Sequence, residues 1–144
     1  MRFNGRMTTT PPPVPPNVPP GGPYSVPQPL SPSDERLWST LIHIGGIFFS
    51  FVPALVGYLV LKDRGPFVRA HSTTALNFQL TVLIASFAAG IVSGILFATF
   101  IFAPVGFLLI LAVGVYLVVF SVIAAIAANK GEFYRYPLSI EFLK

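Results

Sequence analysis

Hydrophobic positions along this chain fall in long, nearly unbroken runs, without the 3.6-residue or two-residue spacing of a half-buried surface. Three runs stand out, residues 37–61, 75–101 and 107–128. A helix rises about 1.5 Å per residue and the hydrocarbon core of a bilayer is about 30 Å thick, so each run is long enough to cross it. The pattern predicts an all-α integral membrane helical bundle. The third run carries no charged residue over its whole length and is the plainest span. In the second, residues 81–101 contain eleven Leu, Ile, Val or Phe. At roughly −0.3 to −0.6 kcal/mol each, they favour insertion by at most about 3 to 7 kcal/mol.

The first run is interrupted by Gly45-Gly46 and by Pro53. Proline removes a backbone hydrogen bond and kinks or breaks a helix. Two solutions follow: one kinked span, or two short halves forming a re-entrant hairpin, which makes four helices in all. A re-entrant turn survives only where protein buries it. The scarcity of polar turn residues favours the kinked span. Ser33 or Asp34 can cap the start of this run, with Asp34 and Glu35 at the positive end of the helix dipole. Gly65-Pro66 reads as a turn inside the short charged loop 62–69. Residues 102–106 form an uncharged turn between the second and third runs, and Asn129-Lys130-Gly131 ends the third.

Composition agrees with the pattern. The chain is 53% hydrophobic and 10% charged, with mean hydropathy +0.74. A soluble domain carries about 25% charged residues, so this one could not clothe its surface in polar groups. With no cysteine there are no disulfides or thiolate sites. The basic residues are scattered, which argues against nucleic-acid binding. The expected partner is the lipid bilayer.

Residues 1–33 hold eleven of the fifteen prolines and read as a disordered tail, with 34–144 as the membrane domain. The N-terminal residues lead into proline, with no apolar signal-peptide core, so the first run is expected to act as its own insertion signal. Residues 129–144 are amphipathic and aromatic and suit the interface. Loop 62–69 and the C-terminal flank each carry three basic residues, whereas 102–106 has none. The positive-inside rule therefore puts that loop and the C-terminus in the cytoplasm of a multi-pass protein of the cell membrane. A spanning first run puts the tail outside; a re-entrant one puts every charge on one side.

The polar stretch 67–80, FVRAHSTTALNFQL, marks the head of the second run. Ser72, Gln79, Ser86 and Ser93 recur every seven residues, and Gly90 and Gly94 lie near that line. Small residues at such spacing let helices approach closely. Asn77 shares another polar side with Thr73 and Thr74. The third run offers Gly114, Ser121 and Ala128. These residues are read first as packing between the second and third runs, next as a homo-oligomer interface, and last as a polar conduit. Arg69, His71, Lys130, Tyr134, Arg135 and Tyr136 are candidate interface anchors.

His43 and His71 invite a metal or haem. Only the re-entrant arrangement brings them to one side, and no carboxylate accompanies them in the spans, so no metal or cofactor is expected. A Ser-His-Asp arrangement fails for the same reason, and the chain is expected not to be an enzyme.

Four ordered motifs carry a resemblance. They are Leu41, His43 and Gly46 in L-x-H-x-x-G, then K-D-x-x-P-F-V-R-x-H at 62–71, A-L-N-F-Q at 75–79 and A-N-K-G-E-x-Y-R-Y-P at 128–137. Residues 34–144 resemble a prokaryotic membrane-protein domain of unknown function. That domain is related to the family of the twenty-kilodalton component of the chloroplast inner-envelope translocon (Tic). The resemblance implies a helical bundle with four hydrophobic segments, which favours the split first run, and a tie to protein translocation. The expected function is a non-enzymatic scaffold or translocon-like membrane subunit, alone or as a homo-oligomer, or with a membrane-protein partner. The alternative is an oligomeric conduit for small solutes or ions, lined by Ser72, Gln79, Ser86 and Ser93.

Overall fold

The computed structural model describes residues 27–144. The disordered tail expected over 1–33 lies largely outside them; of the part that is described, 27–31 leads into the first helix, exposed except for Leu30, which packs on the core, and 32–33 already belong to that helix. Four helices follow in order, α1 Pro32–Phe49, α2 Val52–Leu61, α3 Pro66–Ala98 and α4 Ala103–Lys130. There is no strand among the described residues. Two helices, α3 and α4, are long and apolar enough to cross a membrane.

That is a correction to the expectation of three long segments. The first run is split into α1 and α2 by a tight turn. Ser50 has φ 56° and ψ −135°, and Phe51 has φ −72° and ψ −12°. These are the central angles of a type II′ turn, which suits a hairpin and prefers glycine at the first central position. Pro53 then sits in the first turn of α2, where its missing N–H leaves no helix bond unmade. The proline therefore starts a helix instead of kinking one. Ser50→Gly should relieve the turn and raise the unfolding free energy by about 1 kcal/mol. A higher thermal midpoint in detergent checks this, and a lower one would show that the Ser50 side chain matters more than its backbone.

Close approach fixes the hairpin against its neighbours. A Cβ on Gly46 of α1 would collide with the Gln79 side chain of α3, and one on Gly57 of α2 with Ile42 of α1. Ile42, Ala54, Leu61, Val68, Ala75 and Leu76 form the core that joins α1, α2 and the head of α3.

Helix ends draw the charges together. Ser31, not Ser33 or Asp34, caps α1: its Oγ accepts from the Asp34 backbone N–H at 3.1 Å, with Pro32 in the first turn. Gly65-Pro66 opens α3 instead of sitting within a loop, so the loop is only 62–65. The first N–H groups of α3 are capped from another helix. Glu35 Oε2 accepts from Phe67 N–H and Val68 N–H, each at 2.9 Å. A carboxylate at a helix N-terminus meets both free donors and the positive dipole end. The Leu30 N–H donates to the Arg64 carbonyl at 2.7 Å. Gly131, at φ 81°, closes α4 with a Schellman pair, Gly131 N–H to Ala128 O and Glu132 N–H to Ala127 O. A Cβ there would meet the Arg36 guanidinium. The start of α1, the α2–α3 loop and the end of α4 therefore share one end of the bundle. Every charged residue among those described lies in 34–36, 62–64, at 69 or in 130–144. α1 and α2 form a hairpin that enters from that end and returns to it.

Beyond Val82, α3 is exposed except at Ala89, Ser93 and half-buried Leu96. With the facing part of α4 it forms an apolar antiparallel hairpin whose turn, 99–102, has no charge. A hydrogen bond joins the two helices where Ser93 Oγ donates to the Gly106 carbonyl at 2.9 Å. In a bilayer this bare surface faces lipid.

Candidate functional site

Long-range side-chain hydrogen bonds among the described residues gather where residues 132–144 fold back on the bundle. These residues carry no helix. An unpaired backbone inside a membrane bundle must find partners, and beyond the helix-capping bond of Glu132 N–H they come here from polar side chains on the helices. Asn77 Oδ1 accepts from Phe142 N–H at 3.1 Å and Leu143 N–H at 2.9 Å, and Asn77 Nδ2 donates to the Leu143 carbonyl at 2.9 Å. Asn77 thus serves the chain end as a strand neighbour would. Thr81 Oγ1 donates to Asn77 O and accepts from Ile140 N–H at 3.0 Å. The Tyr116 hydroxyl of α4 donates to the Pro137 carbonyl. Tyr136 stacks on Phe78, centroids 3.7 Å apart and planes 10° from parallel.

Beside this stack runs a buried chain of polar groups. The Tyr136 hydroxyl lies 2.8 Å from His43 Nδ1, His43 Nε2 lies 2.8 Å from His71 Nδ1, and His71 Nε2 lies 3.1 Å from the Glu132 carbonyl. Both histidines are about 1% exposed, so water cannot replace a missing partner. The carbonyl fixes every proton in the chain, because it can only accept. His71 Nε2 therefore donates, and a neutral His71 must accept at Nδ1. His43 Nε2–H supplies that bond, which leaves His43 Nδ1 to accept from the Tyr136 O–H. The chain runs one way, from Tyr136 on the tail through α1 and α3 and back to the tail at Glu132, with each ring neutral and each group satisfied.

Ser121 of α4 is buried beside the Tyr136 phenol. Burial, and then the neighbouring Tyr134, pushes the Tyr136 phenol far above its ordinary range. It stays a proton donor under any physiological condition. Phe67 and Phe133 pack on His71, with ring centroids 4.4 Å and 6.2 Å away. Among the described residues no group of three or more His, Cys, Asp or Glu could hold a metal ion. The arrangement can hold a segment in place and register a proton. It presents no activated nucleophile.

The candidate residues scatter across this picture. Ser72, Asn77, Gln79 and Ser93 are buried, whereas Ser86, Gly90 and Gly94 are exposed. A Cβ on Gly90 or Gly94 would meet nothing within 4 Å. Of the small-residue line expected to pack α3 on α4, Ser93 does so through the Gly106 carbonyl, whereas Gly90 and Gly94 face outward; Phe78, Val82 and Ala124 supply the apolar part of the contact. Gly114 is equally open, while Ser121 and Ala128 are buried. His71 and Tyr136 are core groups and not interface anchors. Arg69, Lys130 and Arg135 are exposed and Tyr134 is half-buried, and Arg135 pairs with Glu141. Sequence reading missed Glu35, Phe78, Thr81 and Tyr116. A carboxylate capping a different helix, or a hydroxyl serving a distant backbone, leaves no periodic signal.

Asn77→Leu should leave Phe142 N–H, Leu143 N–H and the Leu143 carbonyl without their partner. Because the chain end can still reach water, the cost should be about 1 to 3 kcal/mol. Faster amide exchange confined to 140–144 would show it, and unchanged exchange there would count against Asn77 as the anchor.

No curated protein and no solved structure matches the chain. A family model does. Its matched region, residues 34–143, takes in the α1–α2 hairpin, both long helices and the docked tail, and on that match the chain belongs to the magnetosome magnetite crystal formation protein family.

Proposed function

We propose that this protein is a non-enzymatic membrane scaffold. The α3–α4 hairpin anchors it in the bilayer, and a rigid charged face built from four chain segments is offered on one side. The observation that carries the reading is the neutral, fully satisfied Tyr136–His43–His71–Glu132 chain, which locks the tail to α1 and α3. Such investment in holding a non-helical segment suits a surface that must keep its shape for a partner. Following the positive-inside rule, this face is assigned to the cytoplasm, with the tail 1–33 on the same side because α1–α2 is a hairpin. The family's description concerns magnetite crystal formation in magnetosomes. In that setting the scaffold would act on the membrane around the mineral or on other proteins within it. A translocon-like subunit is the more specific version of the same reading. It rests on the motif resemblance alone, to which the family match adds nothing.

The conduit reading is weaker. Ser72, Gln79 and Ser93 are buried inside one chain while Ser86 is exposed, so the four do not line a common lumen. Gentle extraction from native membranes followed by cross-linking tests the scaffold. A reproducible assembly, with itself or with another membrane protein, is expected. A chain found always alone and monomeric would overturn the proposal.

A further inference from the structure

The folded-back tail leaves a cleft of about 410 Å³ against α3, lined among others by Thr73 and Asn77 of the helix and by Arg135, Ser139, Glu141 and Lys144 of the tail. Three features give it a chemical character. Its charged side chains are two cations and one acid, one net positive side-chain charge. The Ser139 hydroxyl is buried there and has no hydrogen-bond partner. Asn77, its floor, is tied to the tail backbone through both Oδ1 and Nδ2 and fixes the walls.

A fourth feature decides what kind of anion fits. Thr73, Asn77, Leu80, Ile84, Phe87 and Ile91 follow one another at helical three- and four-residue spacing, so they lie on one face of α3. The polar cleft is at the top of that face. Below it, Ile84, Phe87 and Ile91 are all exposed, Phe87 by 73%. A positive, hydroxyl-lined cleft above a bare apolar lane on the same helix has the polarity profile of a phospholipid, headgroup above and acyl chain below.

We propose that this cleft is a binding site for an anionic phospholipid. Its phosphodiester is held by Arg135 and Lys144, with Ser139 and Thr73 as hydroxyl donors, and one acyl chain lies along Ile84, Phe87 and Ile91. One phosphodiester charge balances the net charge of the cleft. Glu141 restrains Arg135 through their ion pair and disfavours more highly charged headgroups. The inference does not depend on the scaffold reading, because a monomer could hold such a lipid equally well.

Native mass spectrometry of the full chain, released from mixed phosphatidylglycerol and phosphatidylcholine nanodiscs, tests it. One retained phosphatidylglycerol is expected, in preference to phosphatidylcholine. Arg135→Gln and Lys144→Gln should each weaken that preference by about fivefold, the usual effect of one cation near an anionic headgroup. Glu141→Gln, which removes the acid and leaves both cations, should strengthen it and guards against a folding artefact in the other two. Ile84→Ser with Phe87→Ser should reduce lipid retention but leave any response to millimolar inorganic phosphate unchanged. Equal retention of the two lipids by the wild type would overturn the proposal. So would displacement of the lipid by inorganic phosphate alone, which would make the cleft a site for free anions.

Discussion

Replacing His43 by alanine is expected to undock the C-terminal tail. The substitution deletes the middle link of the buried chain and leaves two groups stranded, the Tyr136 O–H and His71 Nδ1. Each unpaired buried polar group costs about 1 to 3 kcal/mol, so the pair costs about 2 to 6 kcal/mol before the void left by the ring is counted. That is comparable to the whole stability of a small domain, about 5 to 15 kcal/mol. The docked tail is the part with most to lose, because its backbone is held by side chains and not by a helix. Trypsin cleavage after Arg135, in nanodiscs at neutral pH, reads the outcome. His43→Ala should be cut much faster than the wild type, while Tyr136→Phe should lie between them. The phenylalanine keeps the stack on Phe78 and strands only His43 Nδ1. If Tyr136→Phe and His43→Ala are both cut at the wild-type rate, the polar chain does not hold the tail.

This centre was only partly legible in the sequence. Hydrophobic run length identified the membrane class, and the end of α4 was readable because Asn129-Lys130-Gly131 is a local signal. The α1–α2 hairpin was legible as an alternative but not as the answer. Its turn rests on Ser50 in a conformation glycine would prefer, between phenylalanines, so the usual turn residues were missing. That single ambiguity hid the site. With a kinked span, His43 and His71 lie at opposite faces; with a hairpin they are hydrogen-bonded. The tail misled for a related reason. Tyr134-Arg135-Tyr136 has the composition of an interfacial belt, and composition cannot show that Tyr136 turns inward while Arg135 turns out. Only the partners on α1, α3 and α4 decide that, and they lie 58 to 93 residues away or 20 or so along the chain from Tyr116. The seven-residue polar line was a real pattern with a mixed consequence. Below Val82, Ser86 and the nearby glycines are exposed, while Ser93 is buried and bonds to Gly106 of α4.

Acidification should release the tail in the wild type. The direction follows from the proton inventory. At neutral pH the chain holds one N–H on each ring, and every ring nitrogen is used. A further proton puts a positive charge among groups that cannot balance it. From α1 and α3 the pair sees itself and Phe67; from the tail it sees the Tyr136 hydroxyl, the Glu132 carbonyl and Phe133. No side-chain carboxylate is among these contacts, and the Glu132 side chain is exposed. A buried charge without a counter-charge is costly, whereas an undocked tail lets the histidines take up protons freely. The undocked state therefore binds more protons, and docking is full above the ordinary histidine value of about 6.5 and declines below it. Each proton taken up only on undocking steepens the loss by about 1.4 kcal/mol per pH unit. Tyr136 cannot be the titrating group, since burial moves its phenol upward, away from this window. Cleavage after Arg135 by an acid-tolerant arginine-specific protease should therefore rise between about pH 7 and pH 5, corrected on a peptide of residues 129–144. In a chain carrying His43→Gln with His71→Gln, whatever its absolute rate, the slope in that window should vanish. A slope that persists in the double variant would assign the response to the exposed Arg135–Glu141 pair and remove the histidines from it.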